Sequence, residues 1–142
     1  MMNARRSVVR VRRSRQKGSA MVELALTFMG FLMLTLGSME FGWAIYAYNT
    51  CSYAAQTGAR WASVNGSLSP SPATATSVTT YVQAQMVALD PNKTTVTSSW
   101  SPNNSPGSSV TVTVGYNVVP LVGLAIQSSF NVSSTAQMVI DH

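Results

Sequence analysis

The fold depends on a run of sixteen uncharged residues between Glu23 and Glu40, Leu24-Ala-Leu-Thr-Phe-Met-Gly-Phe-Leu-Met-Leu-Thr-Leu-Gly-Ser-Met39. As an α-helix this run is about 24 Å long, slightly short of a hydrocarbon core of about 30 Å. Extending the helix from Ser19 to Tyr46 gives ample length, and the aromatic residues near its end suit the lipid headgroup region. The sequence therefore predicts a transmembrane helix over residues 19–46.

Basic residues are concentrated ahead of this segment. Seven of the nine lie before Gly18, whereas the rest of the chain has two basic and four acidic side chains. A basic flank keeps its end of an apolar helix in the cytoplasm, so residues 1–18 are predicted to be a cytoplasmic leader in an N-in, C-out, single-pass protein. Clustered arginines also bind phosphates, but the adjoining apolar helix explains them more simply, and we expect no nucleic-acid partner.

A cleaved secretory signal is the competing interpretation, because such signals also combine a basic start with a short apolar stretch. However, no A-x-A-like step follows Leu36 cleanly, and the helical pattern continues instead of breaking. The sequence favours an anchor. A secreted protein beginning near Met39 or later remains an alternative.

Residues 47–142 are predicted to form an extracytoplasmic α+β domain. The long helix continues to about residue 64, where Asn65-Gly66 is a common C-terminal helix signal. A short helix is predicted over about 76–89. Period-two alternation predicts strands over about 94–100, 109–118 and 128–140, forming a small three-stranded antiparallel sheet. A turn or short helix is predicted at 120–126.

Small residues recur on the second half of the long helix. Ala54, Gly58 and Ala62 are spaced four apart, so another backbone could approach closely, either from a partner subunit or from the chain's own domain. Arg60 and Glu40 cannot meet within one helix, because twenty residues separate them by about 30 Å. We hypothesise that they pair between staggered subunits; the alternative is that Arg60 caps nearby carbonyls or faces water.

The junction between leader and helix reads Lys17-Gly18-Ser19-Ala20-Met21-Val22-Glu23. It resembles the type IV prepilin processing site. The resemblance implies that a prepilin peptidase cuts between Gly18 and Ser19, and that Glu23 neutralises the new N-terminal amine of a neighbouring subunit during assembly. Independently, a carboxylate in a membrane helix is costly unless paired, which makes Glu23 a functional candidate. The alternative is a glutamate whose side chain merely reaches the membrane interface.

A second set of residues narrows the resemblance to one family of pilin-like proteins. These residues are Glu40-Phe41-Gly42, Tyr46, Asn49, Ala54-Ala55 and Gly58-Ala59-Arg60. Together they resemble the N-terminal signature of TadE-like proteins, the minor pilins or pseudopilins of the tight-adherence (Flp) pilus system, over about residues 14 to 62. Leu24, where major Flp pilins usually have tyrosine, argues against a major subunit. The α+β architecture predicted above is then pilin-like.

The resemblance implies a minor pilin of the bacterial inner membrane that takes part in assembling or priming the pilus and so supports surface adhesion. Incorporation into the extracellular pilus is a further expectation. The implied partners are the prepilin peptidase, other minor and major pilins, the assembly platform in the membrane, the secretion channel and membrane lipid.

The sequence offers no catalytic or metal-binding motif. His142 is the only histidine, Cys51 is the only cysteine, and no glycine-rich nucleotide-binding loop occurs. We therefore expect no enzymatic activity, no metal and no cofactor. The main alternative is a permanently anchored single-pass envelope protein with an extracytoplasmic ligand-binding domain, which would keep its leader.

Overall fold

The computed structural model describes residues 11–120 and 128–141, with side chains from residue 18 onward. The first ten residues of the predicted leader lie outside these ranges. So does the turn or short helix predicted at 120–126, apart from Pro120.

Helix α1 spans Val11–Val64. It begins eight residues before the predicted start at Ser19, because arginine favours helix and a single glycine costs only about 1 kcal/mol in a helix interior. At the other end the side-chain amide of Asn65 donates to the carbonyl of Trp61 at 2.8 Å. Its backbone N–H also donates to the carbonyl of Ala62. Asn65 thus satisfies carbonyl groups that the end of the helix leaves free.

The chain divides into two compact units, Met1–Met39 and Glu40–His142. In the first, every side chain from residue 18 to residue 35 is exposed. Gly18–Val64 is, by length and composition, the one helix among the described residues that could cross a membrane, and its most apolar stretch is unburied. The second unit, called here the C-terminal unit, contains the hydrophobic core.

Helix α2 spans Ala75–Gln85 and opens with a capping box, in which Thr74 and Ser77 each bind the other's backbone N–H. Such a box satisfies two donors that the first turn leaves free. The helix ends four residues before the predicted end at 89. Met86 leaves helical geometry, and Ala88 has a positive φ of 61°. A 3₁₀ turn at Pro91–Lys93 then leads into the sheet.

The sheet has three antiparallel strands in the order β1-β2-β3, with β1 at Thr94–Ser101, β2 at Ser109–Val118 and β3 at Phe130–Val139. Each boundary falls within two residues of the prediction. The α+β fold class, with a long N-terminal helix, a short helix and a three-stranded antiparallel sheet, is confirmed.

The core lies between α1, α2 and one face of the sheet. Alternate residues of the central strand β2, including Val110, Val112 and Val114, are fully buried beneath the helices. The partners from α1 are mostly alanines, which let the helix lie close to the sheet. The other face of the sheet carries hydroxyl and amide side chains from all three strands, as strict period-two alternation requires.

Candidate assembly and processing sites

The predicted cleavage junction lies inside α1 and is open to its surroundings. Gly18 and Ser19 are both exposed. A β-carbon added at Gly18 would have no atom of the rest of the fold within 4 Å. The glycine is therefore not required for packing among the described residues, as is also true of Gly30, Gly37 and Gly42 on the same helix.

Glu23 lies on the same helix, five residues after Gly18, and its side chain is exposed. Residues four apart on a helix are neighbours, so Glu23 is within one turn of the amine that cleavage would create at Ser19. The hydroxyl of Thr27 donates to the backbone carbonyl oxygen of Glu23 at 2.9 Å, so the side-chain carboxylate of Glu23 takes no part in that hydrogen bond. The carboxylate is thus placed where an amine, of its own or another chain, could reach it.

The row of small residues is part of the chain's own core. Ala54 and Ala62 are fully buried, and Gly58 is buried where α2 crosses α1. A β-carbon at Gly58 would lie 2.5 Å from Cγ2 of Val82 and 3.5 Å from Cγ1 of Val112. Of the two packings left open by the sequence, the structure places this row against its own domain. Phe41 and Gly42, by contrast, are exposed.

The pairing of Glu40 with Arg60 of another subunit stays a prediction, and the burial of Glu40 sets a cost on it. Glu40 is only 4% exposed, and it already has an interaction within its own chain. A guanidinium group from another copy would have to open that burial, at the cost of desolvating both charges. Arg60 itself is exposed, in agreement with the alternative that it faces water.

Arg60 lies at the rim of an open cleft that sequence reasoning missed. The cleft, about 350 Å³, is lined by Thr57, Arg60, Trp61, Val64 and Tyr81. The rings of Trp61 and Tyr81 stack with centroids 5.3 Å apart and planes at 17°. Arginine, tryptophan and tyrosine are the residues most enriched where protein contacts are strong. The helical spacing of apolar residues in α2 could have predicted the contact between Trp61 and Tyr81, because it places Tyr81 on the face of α2 that packs against α1.

Cys51 is fully buried on the core face of α1. Burial raises the pKa of its thiol above the ordinary value, because the apolar surroundings disfavour the thiolate. The thiol therefore stays neutral near pH 7, and it is shielded from a thiol on another subunit.

We expect Cys51 to react with a maleimide roughly ten times or more slowly in the folded chain than in denaturant, because only an accessible thiolate is a nucleophile. The measurement is a labelling time course followed by intact mass. A Leu68→Cys variant supplies an exposed thiol as the matched control, since Leu68 is 75% exposed. Equal labelling rates at positions 51 and 68 would contradict the burial.

Among the described residues, no group of three or more His, Cys, Asp or Glu side chains could hold a metal ion. The notable arrangements in this part of the chain are the predicted cleavage junction, a carboxylate on an apolar helix and a polar-aromatic cleft.

In a comparison with known protein families, residues 18–60 match the family of TadE-like proteins. This confirms the resemblance read from the sequence, and it indicates a protein associated with the Tad pilus, a class that is generally non-enzymatic. An N-terminal apolar helix in such a protein fits a single-pass membrane protein. No curated protein and no solved structure matches the chain.

Proposed function

We propose that this chain, TadE-like over residues 18–60, is a non-enzymatic minor pilin or pseudopilin that takes part in assembling or priming a tight-adherence pilus. It is inserted in the inner membrane with its N-terminus in the cytoplasm. A prepilin peptidase cuts it between Gly18 and Ser19, and the C-terminal unit lies outside the membrane. Surface adhesion follows from the pilus that it helps to build.

The observation that carries the proposal is the coincidence at Gly18. The family match starts at this residue, which is also where the sequence predicts cleavage and where the fold has no need of glycine. Proteolysis of a helix requires its local opening, and glycine lowers the cost of that opening. A glycine placed for a peptidase, and not for packing, accounts for both observations and agrees with the predicted cleavage.

The exposed surface of the N-terminal unit also supports an assembly role. Large apolar side chains project all round the helix from Met21 to Leu34, and none of the described residues covers them. Two environments would cover such a helix, lipid before assembly and neighbouring helices after it. One apolar surface thus serves both the membrane-inserted subunit and the subunit packed in a filament.

Glu23 gives the packed helices a register. An unpaired carboxylate among apolar helices costs several kcal/mol, and an amine at Ser19 of a neighbouring subunit would remove most of that cost. Contacts made by the C-terminal unit then add specificity. We assign these to the Arg60 cleft and to the exposed Phe41 and Gly42, rather than to the buried row of Ala54, Gly58 and Ala62.

Replacing Gly18 with leucine is expected to abolish processing while leaving insertion and folding intact. A β-carbon at position 18 would meet no other atom of the described residues within 4 Å, and leucine favours helix, so folding should be preserved. A loss of cleavage then reports on the peptidase step, through recognition of the residue or through the greater cost of opening the helix. The measurement is the mass of the membrane-extracted chain in cells that contain the peptidase.

Gly30→Leu is the matched control, because Gly30 is in the same helix and a β-carbon there also meets nothing. This variant should be processed normally. Efficient removal of the leader from Gly18→Leu would contradict the proposed site. An intact leader on the parent chain would instead favour the permanently anchored envelope protein.

A further inference from the structure

We infer that the Arg60 cleft binds the side-chain carboxylate of Asp141 from a second copy of the chain. The contact joins neighbouring copies side by side, with every copy in the same orientation. The inference rests on the proposed function, because insertion in a shared membrane is what gives the copies a common orientation. It does not depend on cleavage at Gly18.

The C-terminal unit has few charged side chains with which to make a contact. They are Glu40, Arg60, Asp90, Lys93 and Asp141. Glu40 is buried. Asp90 caps the 3₁₀ turn that Lys93 ends, so these two opposite charges are neighbours. Arg60 and Asp141 are left as an exposed cation and an exposed anion, and neither one has an ion pair among the described residues.

The polar groups of the cleft favour a carboxylate. The guanidinium group of Arg60 and the indole N–H of Trp61 are hydrogen-bond donors only, and neither donates to a described residue. The hydroxyl of Thr57 is already bound to the backbone carbonyl oxygen of Tyr53 at 3.0 Å. Arginine binds a carboxylate through two parallel N–H bonds, and adjacent aromatic rings shield such a contact from water. A carboxylate therefore satisfies the donors that the cleft leaves free.

Arg60 and Asp141 lie at the same end of the C-terminal unit. The backbone N–H of Asp141 donates to the carbonyl oxygen of Ser63 at 3.1 Å. Ser63 follows Arg60 by three residues, about 4.5 Å along α1. Two copies that stand side by side in one orientation therefore present the cleft of one copy and Asp141 of the other at nearly the same height.

Asp141 suits this contact better than Glu40, the other acidic side chain considered for Arg60. Asp141 is exposed, so it can reach a neighbouring guanidinium group without opening the core, whereas Glu40 is only 4% exposed. The contact uses one surface of the first copy and a different surface of the next, so it can repeat from copy to copy. Such heterologous contacts build rings or helical filaments, and a pilus is a helical filament.

The test cross-links two variants of the full chain in the membranes of cells that produce both. One variant carries Val64→Cys at the cleft, and the other carries Val139→Cys, two residues before Asp141; both valines are exposed. A short bismaleimide joins the two thiols, and the unaltered chain controls for the buried Cys51. Because docked copies hold the thiols at a high effective concentration, we expect at least about fivefold more cross-linked dimer than in cells with either variant alone.

Exchanging the two charges shows whether they meet between copies. Arg60→Asp in the Val64→Cys copy should lower the yield of dimer roughly fivefold, since two carboxylates then face each other. Asp141→Arg in the Val139→Cys copy should restore it. Restoration across two copies requires a contact between copies, because a pair within one chain would stay broken in both. Lys93→Asp, the same charge change at the other exposed cation, is the matched control and should leave the yield unchanged.

Two outcomes overturn the inference. Equal yields of dimer from the mixed variants and from either variant alone would mean random collision in the membrane. A loss with Arg60→Asp that Asp141→Arg does not restore would mean that the cleft takes a different acidic group, from this chain or from another protein. Either result leaves the proposed function standing if the leader is still removed at Gly18. A retained leader would contradict the proposed function, while the yield of dimer still decides the contact.

Discussion

Replacing Gly58 with leucine is expected to lower the free energy of unfolding of the C-terminal unit by roughly 3 kcal/mol, the upper part of the range for overpacked cores. The first added carbon would already lie 2.5 Å from Cγ2 of Val82. Val82 is fully buried, and its branched side chain has little rotamer freedom with which to move away. The gain in helix propensity, about 1 kcal/mol, does not compensate.

Chemical denaturation followed by tryptophan fluorescence measures this effect, because Trp61 and Trp100 both pack against the core. Gly42→Leu is the matched control, since Gly42 is exposed on the same helix and a β-carbon there meets nothing within 4 Å. The milder pair Gly58→Ala and Val82→Ala should show coupling, with the double variant less destabilised than the sum of the two. Equal midpoints for Gly58→Leu and Gly42→Leu would contradict the close approach of the helices.

Glu23→Gln is expected to reduce incorporation of the chain into sheared filaments by tenfold or more. The variant keeps the shape of the side chain but loses the charge, so the pair with the amine of a neighbouring subunit becomes a neutral hydrogen bond. Removing one partner of a buried ion pair costs about 3–5 kcal/mol, and each 1.4 kcal/mol is a factor of ten. The measurement is the ratio of filament-bound to membrane-bound chain.

Glu23→Asp, which retains the charge, should recover part of the incorporation, and Thr27→Ala, one turn further along, should leave it unchanged. The amount of chain in the membrane serves as the control for insertion. Normal incorporation of Glu23→Gln would show that the carboxylate does not contribute to assembly, and Glu23 would then be an interfacial residue.

Local sequence signals carry much of this fold. The run from Leu24 to Met39 has too few polar groups for any environment but lipid or a helix bundle, and the alternation in Ser109–Val118 commits each side chain to one face of the sheet. Asn65 ends α1 because its own side chain satisfies a carbonyl. Patterns of this kind depend on neighbours in sequence, so they can be read without a structure.

Long-range contacts could not be read in this way. The spacing of Ala54, Gly58 and Ala62 predicts a close approach, yet only the position of α2 shows that the approaching element belongs to the same chain. The burial of Glu40 could not be read from the sequence either, because it depends on the fold of the whole C-terminal unit. The Arg60 cleft likewise requires α2 to bring Tyr81 onto Trp61, twenty residues away in sequence.

The most direct test of the central claim is the N-terminal sequence and intact mass of the membrane-extracted protein, from cells with and without the prepilin peptidase. The proposed function predicts a chain that begins at Ser19 when the peptidase is present and a chain that keeps its leader when it is absent. A leader retained in cells with active peptidase would contradict the pilin assignment and leave a permanently anchored envelope protein.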